Sequence, residues 1–135
     1  MIRRTLVLAA LCGLALLLPV GAASAHPLGN FSVNHHHGLH LYPDRVEVRS
    51  IVDLAEIPTL QEKSVAADRQ CGELAGSLRS AVDERQLTWT VRSATVQRPK
   101  GQADLPTTRL TCELTAPADI SGPVTLSFAD SYRTD

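Results

Sequence analysis

The stretch FSVNHHHGLHLYPDRVEVRSIVDL, Phe31–Leu54, decides how this chain folds. Successive residues of a β-strand point to opposite faces, so a period of two is the signature of a half-buried strand. Phe31, Val33, His35, His37, Leu39 and Leu41 fall on one face; Ser32, Asn34, His36, Gly38 and His40 fall on the other. Tyr42-Pro43-Asp44-Arg45 interrupts the pattern with a turn signal, since proline presets the backbone angle of a turn's second position. From Arg45 the alternation resumes: Val46, Val48, Ser50, Val52 and Leu54 point one way, Arg45, Glu47, Arg49, Ile51 and Asp53 the other. The expectation is an antiparallel hairpin, Phe31–Leu41 paired with Arg45–Leu54.

Downstream, Ala55–Thr59 ends the second strand and opens helical sequence, with Pro58 suited to a first helical turn. Val65–Val82 has a helical period, with Leu74, Leu78 and Val82 recurring beside Cys71 and Ala75. Val82–Gln86 reads as a tight connection. Leu87–Gln97 is strand-like through Leu87, Trp89 and Val91, and Pro99–Pro106 is a loop. Thr108–Thr115 places Leu110, Cys112 and Leu114 on one face, and Val124, Leu126 and Phe128 mark a last strand. The predicted class is α+β: a mainly antiparallel sheet or small sandwich of about five strands, with a helical insertion after the second.

Upstream, Met1–Ala25 has the parts of a secretory signal: Arg3 and Arg4, the apolar run Leu6–Leu18, breakers at Pro19 and Gly21, and Ala23-Ser24-Ala25 as a cleavage site. Residues 26–135 are then expected to be a single extracytoplasmic domain, long enough for one core. Cleavage would leave eleven basic and fourteen acidic side chains, a formal charge of −3 with neutral histidines. With no basic stripe, nucleic acid is not an expected partner. Two cysteines remain, Cys71 and Cys112, and in an oxidising compartment an even pair is most simply a disulfide. It would close a loop of about forty residues, for a model stabilisation of about 3–4 kcal/mol. A thiolate metal site would need further soft ligands near them, and the sequence supplies none.

All five histidines lie within His26–Leu41. Cleavage after Ala25 would expose His26 as the first residue, offering an α-amino nitrogen and an imidazole together. Pro27 has no amide hydrogen, so an amino-terminal chelate using the second backbone nitrogen is excluded and the two-nitrogen chelate of His26 survives. His35 and His37 share a face; His36 and His40 share the other, farther apart. The economical metal site is His26 plus one same-face pair, an all-nitrogen set suited to nickel, copper or zinc. The competing readings are hydrogen-bonded core histidines, solvent-facing histidines with adventitious affinity, and a pH sensor. Ser32, His35 and Asp53 have the residue types of a hydrolytic triad but no nucleophile elbow beside them, and Asp83-Glu84 reads as a solvated turn. No enzyme is expected.

The run His26-Pro27-Leu28-Gly29-Asn30-Phe31-Ser32-Val33-Asn34-His35, with Val52–Thr59 after the hairpin and Leu105–Leu110 followed by Cys112, resembles one family. It is similar to the amino-terminal extracytoplasmic domain of bacterial nickel/cobalt transporter-like membrane proteins, over essentially all of residues 26–135. The resemblance implies nickel or cobalt as the metal and a membrane permease module as partner. That module is not in this chain, which ends near where family members continue toward their membrane helices. It also implies ligand roles for His26 and His35, the triple His35-His36-His37 being richer than the single histidine of the family pattern. The expected role is therefore an accessory domain that captures or senses a divalent metal, with His26 and His35 as principal ligands and His37 or His36 assisting. The alternatives are a structural or interaction module without metal, and a free secreted metal buffer.

Overall fold

The computed structural model describes residues 29–62 and 66–133; the signal segment and His26 lie outside them. The hairpin forms as its alternation requires. Strand β1 (Val33–Tyr42) pairs antiparallel with β2 (Arg45–Leu54), and the Tyr42–Arg45 pair leaves Pro43-Asp44 as a two-residue loop. Two short helices follow, α1 (Glu56–Gln61) and α2 (Ala67–Ser77). Then come β3 (Leu78–Val82), β4 (Arg85–Gln86), β5 (Thr90–Gln97), β6 (Thr108–Pro117) and β7 (Leu126–Asp130). The strands make two antiparallel sheets, one of order β1-β2-β6-β5 and one of order β4-β3-β7. The class is α+β and mostly sheet, with a helix after β2, as expected.

The core follows from the alternation. Val46, Val48, Val52 and Leu54 from β2 and Leu110, Cys112, Leu114 and Ala116 from β6 are all buried, because these two strands are flanked on both sides. Cys71 and Leu74 of α2 and Leu78 of β3 close over this face. Cys71 is disulfide-bonded to Cys112, with 5.5 Å between their Cα atoms. In α1, Pro58 costs no helical hydrogen bond because the first-turn N–H groups have no intrahelical partner. The Glu56 carboxylate accepts a 2.7 Å hydrogen bond from the Gln102 N–H, tying α1 to the β5–β6 loop. A Cβ at Gly101 would lie 2.1 Å from that carboxylate, so any larger residue there would have to displace the Glu56 side chain from its hydrogen bond.

Among the described residues seven strands stand where about five were expected, and the difference has two sources. The helix predicted through Val82 ends at Ser77, and Leu78–Val82 is a strand. A spacing of four, as between Leu78 and Val82, satisfies a helical period and a strand period equally. Leu78 leaves the helix with extended backbone, and two of the last helical carbonyls find side-chain donors: Arg79 donates to that of Gly76 at 2.9 Å and Ser131 Oγ to that of Ser77 at 3.0 Å. The tight connection then becomes a two-residue hairpin, with Asp83 and Glu84 at φ 46° and 70° as a primed turn demands. Strand β5 starts at Thr90 instead of Leu87, and a bulge at Arg92 brings Val91 and Ala94 to the same side. Among the described residues no helix is long and apolar enough to cross a membrane.

Candidate metal centre

Strand β1 is an edge of the four-stranded sheet and β7 an edge of the three-stranded one. On β1 the pleat turns Val33, His35, His37 and Leu39 inward. On β7 the same period carries Leu126, Phe128 and Asp130 to one side. The two edges meet through their polar members. His35 Nδ1 lies 2.6 Å from Asp130 Oδ2, and His37 Nε2 lies 3.0 Å from the same oxygen. The other ring nitrogen of His37, Nδ1, is 2.8 Å from Ser50 Oγ on β2. Asp130 Oδ1 accepts from the backbone N–H of Tyr132 at 2.8 Å. The His37 ring stands 5.1 Å from that of Phe128, and the His35 ring 6.1 Å from that of Tyr132. The cluster is sheltered but reachable: the side chains of His35, His37 and Asp130 are 16%, 14% and 9% exposed.

Burial lowers the pKa of His37 from its ordinary value, more than the neighbouring Asp130 charge raises it. Burial also opposes ionisation of Asp130, yet the Tyr132 N–H, the His35 hydrogen bond and the charge of the two rings together hold its carboxyl below the usual range. A neutral imidazole beside an ionised carboxylate is the protonation pattern in which both bind metals.

One ligand atom from each of His35, His37 and Asp130 lies within 4.8 Å of the others. Tetrahedral coordination with bonds of about 2.0–2.1 Å sets donors roughly 3.3 Å apart. The 2.6 and 3.0 Å contacts need only a slight opening to reach that. Two imidazoles and one carboxylate leave positions for further ligands, and borderline first-row ions such as zinc, cobalt and nickel suit the set.

Of the residues expected at the site, the structure brings His35 and His37 together. His36 is exposed on the opposite face, across from Ile51, and His40 is exposed there across from Glu47. His26 lies outside the described residues. Asp130 is not among the residues expected at the site, although the alternation Val124, Leu126, Phe128 points to it as the next inward residue. The hydrolytic arrangement does not assemble. Asp53 is on the outer face, where Arg109 hydrogen-bonds it at 2.7 and 2.8 Å and holds its carboxyl below the usual range. His35 is engaged with Asp130 instead. No protein-family model matches the sequence, and comparisons with curated proteins and with solved structures find no match.

Proposed function

We propose that this chain is an extracytoplasmic accessory domain that captures or senses a divalent transition-metal ion at His35, His37 and Asp130 for a membrane permease. The observation that carries the reading is the convergence of two imidazoles and one carboxylate where two sheet edges meet. The Cys71–Cys112 disulfide supports an oxidising compartment. The sequence resemblance favours nickel or cobalt, while the donor set accepts zinc and copper as well. His26, with the amino group that cleavage after Ala25 would expose, is the proposed fourth ligand.

Calorimetry of the mature protein with nickel, cobalt, zinc and copper should show one stoichiometric site that Asp130→Ala abolishes. Adding one residue ahead of His26 should weaken it; an unchanged affinity would remove His26 from the ligand set.

One feature favours a second reading. Each nitrogen facing the centre is already hydrogen-bonded, so the cluster is also complete as a polar clasp within a structural or interaction module. On that reading Asp130→Ala lowers thermal stability, and no metal in the series binds stoichiometrically to the wild type.

A further inference from the structure

We infer that Ser50 is the positioning residue of this site, its hydroxyl engaging His37 Nδ1 so that Nε2 is the nitrogen presented to the ion. The inference rests on the metal-binding reading above and concerns how the ligand is aimed. On the inward face of β2, Ser50 stands among Val46, Val48, Val52 and Leu54, and it is 0% exposed. Its register neighbours are His37 on β1 and Cys112 on β6, so it sits between the cluster and the disulfide-bearing strand. Its Oγ is 2.8 Å from His37 Nδ1.

A serine hydroxyl both donates and accepts, and the site needs both roles. Without metal, the ionised Asp130 takes the N–H of His37 Nε2, and the bare Nδ1 accepts the proton of the Ser50 hydroxyl. With metal, the Nε2 lone pair turns to the ion, the ring proton resides on Nδ1, and the hydroxyl rotates to accept it. The Nδ1–Ser50 contact would persist through the exchange, which asks for a tautomer change, a hydroxyl rotation and the slight opening of the Asp130 contacts already described. Alanine at position 50 would leave Nδ1 without that partner in either state and free the ring to present either nitrogen. Outer-shell partners of metal-bound histidines act in this way, and their loss typically costs about 10–100-fold in affinity.

The test compares wild type, Ser50→Ala and Ser50→Thr, with zinc as probe, by calorimetry, thermal melting and 15N NMR of the imidazoles. Wild type should bind one zinc, with the His37 proton on Nε2 before and on Nδ1 after. Ser50→Ala should bind about 10–100-fold more weakly and show mixed His37 tautomers; Ser50→Thr, which keeps the hydroxyl, should restore the single tautomer. If Ser50→Ala matches wild type in affinity and tautomer, the role of Ser50 is overturned while the metal site stands. Lost stability with intact affinity and tautomer in Ser50→Ala also overturns it. Failure of the wild type to bind zinc stoichiometrically overturns the metal-binding reading, and this inference with it.

Discussion

The two faces of β1 carry the same side chain to opposite ends. His35 and His37 point inward, where Asp130 and Ser50 occupy three of their four ring nitrogens. His36 and His40 point outward, exposed, across from Ile51 and Glu47. A one-residue step in a pleated strand separates the two fates. A run of histidines is therefore not itself a site; the pleat selects which members meet a partner, and the second sheet supplies that partner.

The largest effect is expected in metal affinity. His37→Ala or Asp130→Ala should weaken binding by more than about 100-fold, beyond what outer-shell changes cost, whereas His36→Ala and His40→Ala should stay within about 2-fold. Calorimetric titration of the four variants checks this, and equal losses on both faces would erase the distinction.

Stability comes next. Asp130→Ala removes the acceptor for two imidazoles and the Tyr132 N–H in a sheltered place, so about 2–3 kcal/mol should be lost in urea unfolding of the metal-free protein. The same substitution at His36 should cost less than about 0.5 kcal/mol.

Acid should separate the faces further. The native pKa of His37 is depressed, so the unfolded chain takes up that proton more readily. Its contribution is present above about pH 6.5 and is lost as the pH falls through the native value. Asp130 is also depressed, so its contribution holds above about pH 3.9 and is lost only in stronger acid. Metal-free unfolding between pH 7.5 and 3 should show the upper decline in wild type and His36→Gln, and not in His37→Gln. The smallest effect concerns the outer face alone. Replacing His40 with threonine, a better strand former, should shift stability by no more than about 0.5 kcal/mol in thermal melts.

Much of this was legible in the sequence, for identifiable reasons. Strand β2 runs from Arg45 to Leu54 as its alternation states, because a strand flanked on both sides has an unambiguous inner face. Cys71 and Cys112 pair because both sit on inward positions of packed elements. Leu78–Val82 fits a helix as well as a strand because its key spacing of four suits either period, and only pairing with β4 and β7 decides between them. The site was half legible. His35 and His37 share a face by local geometry, but Asp130 joins them through the placement of one sheet against another. No local period encodes that placement, and a carboxylate following Phe128 reads as the polar end of a strand.

The His35–Asp130 contact joins residues 95 positions apart, and β7 is the final strand described. Ribosomes deliver a chain from its amino end, so the histidine pair must wait through six further strands before its carboxylate emerges. A nascent or clipped chain lacking β7 would carry both histidines, yet its donor set would be incomplete. On the proposed reading, metal capture would be reserved for chains that have been made to the end of that strand.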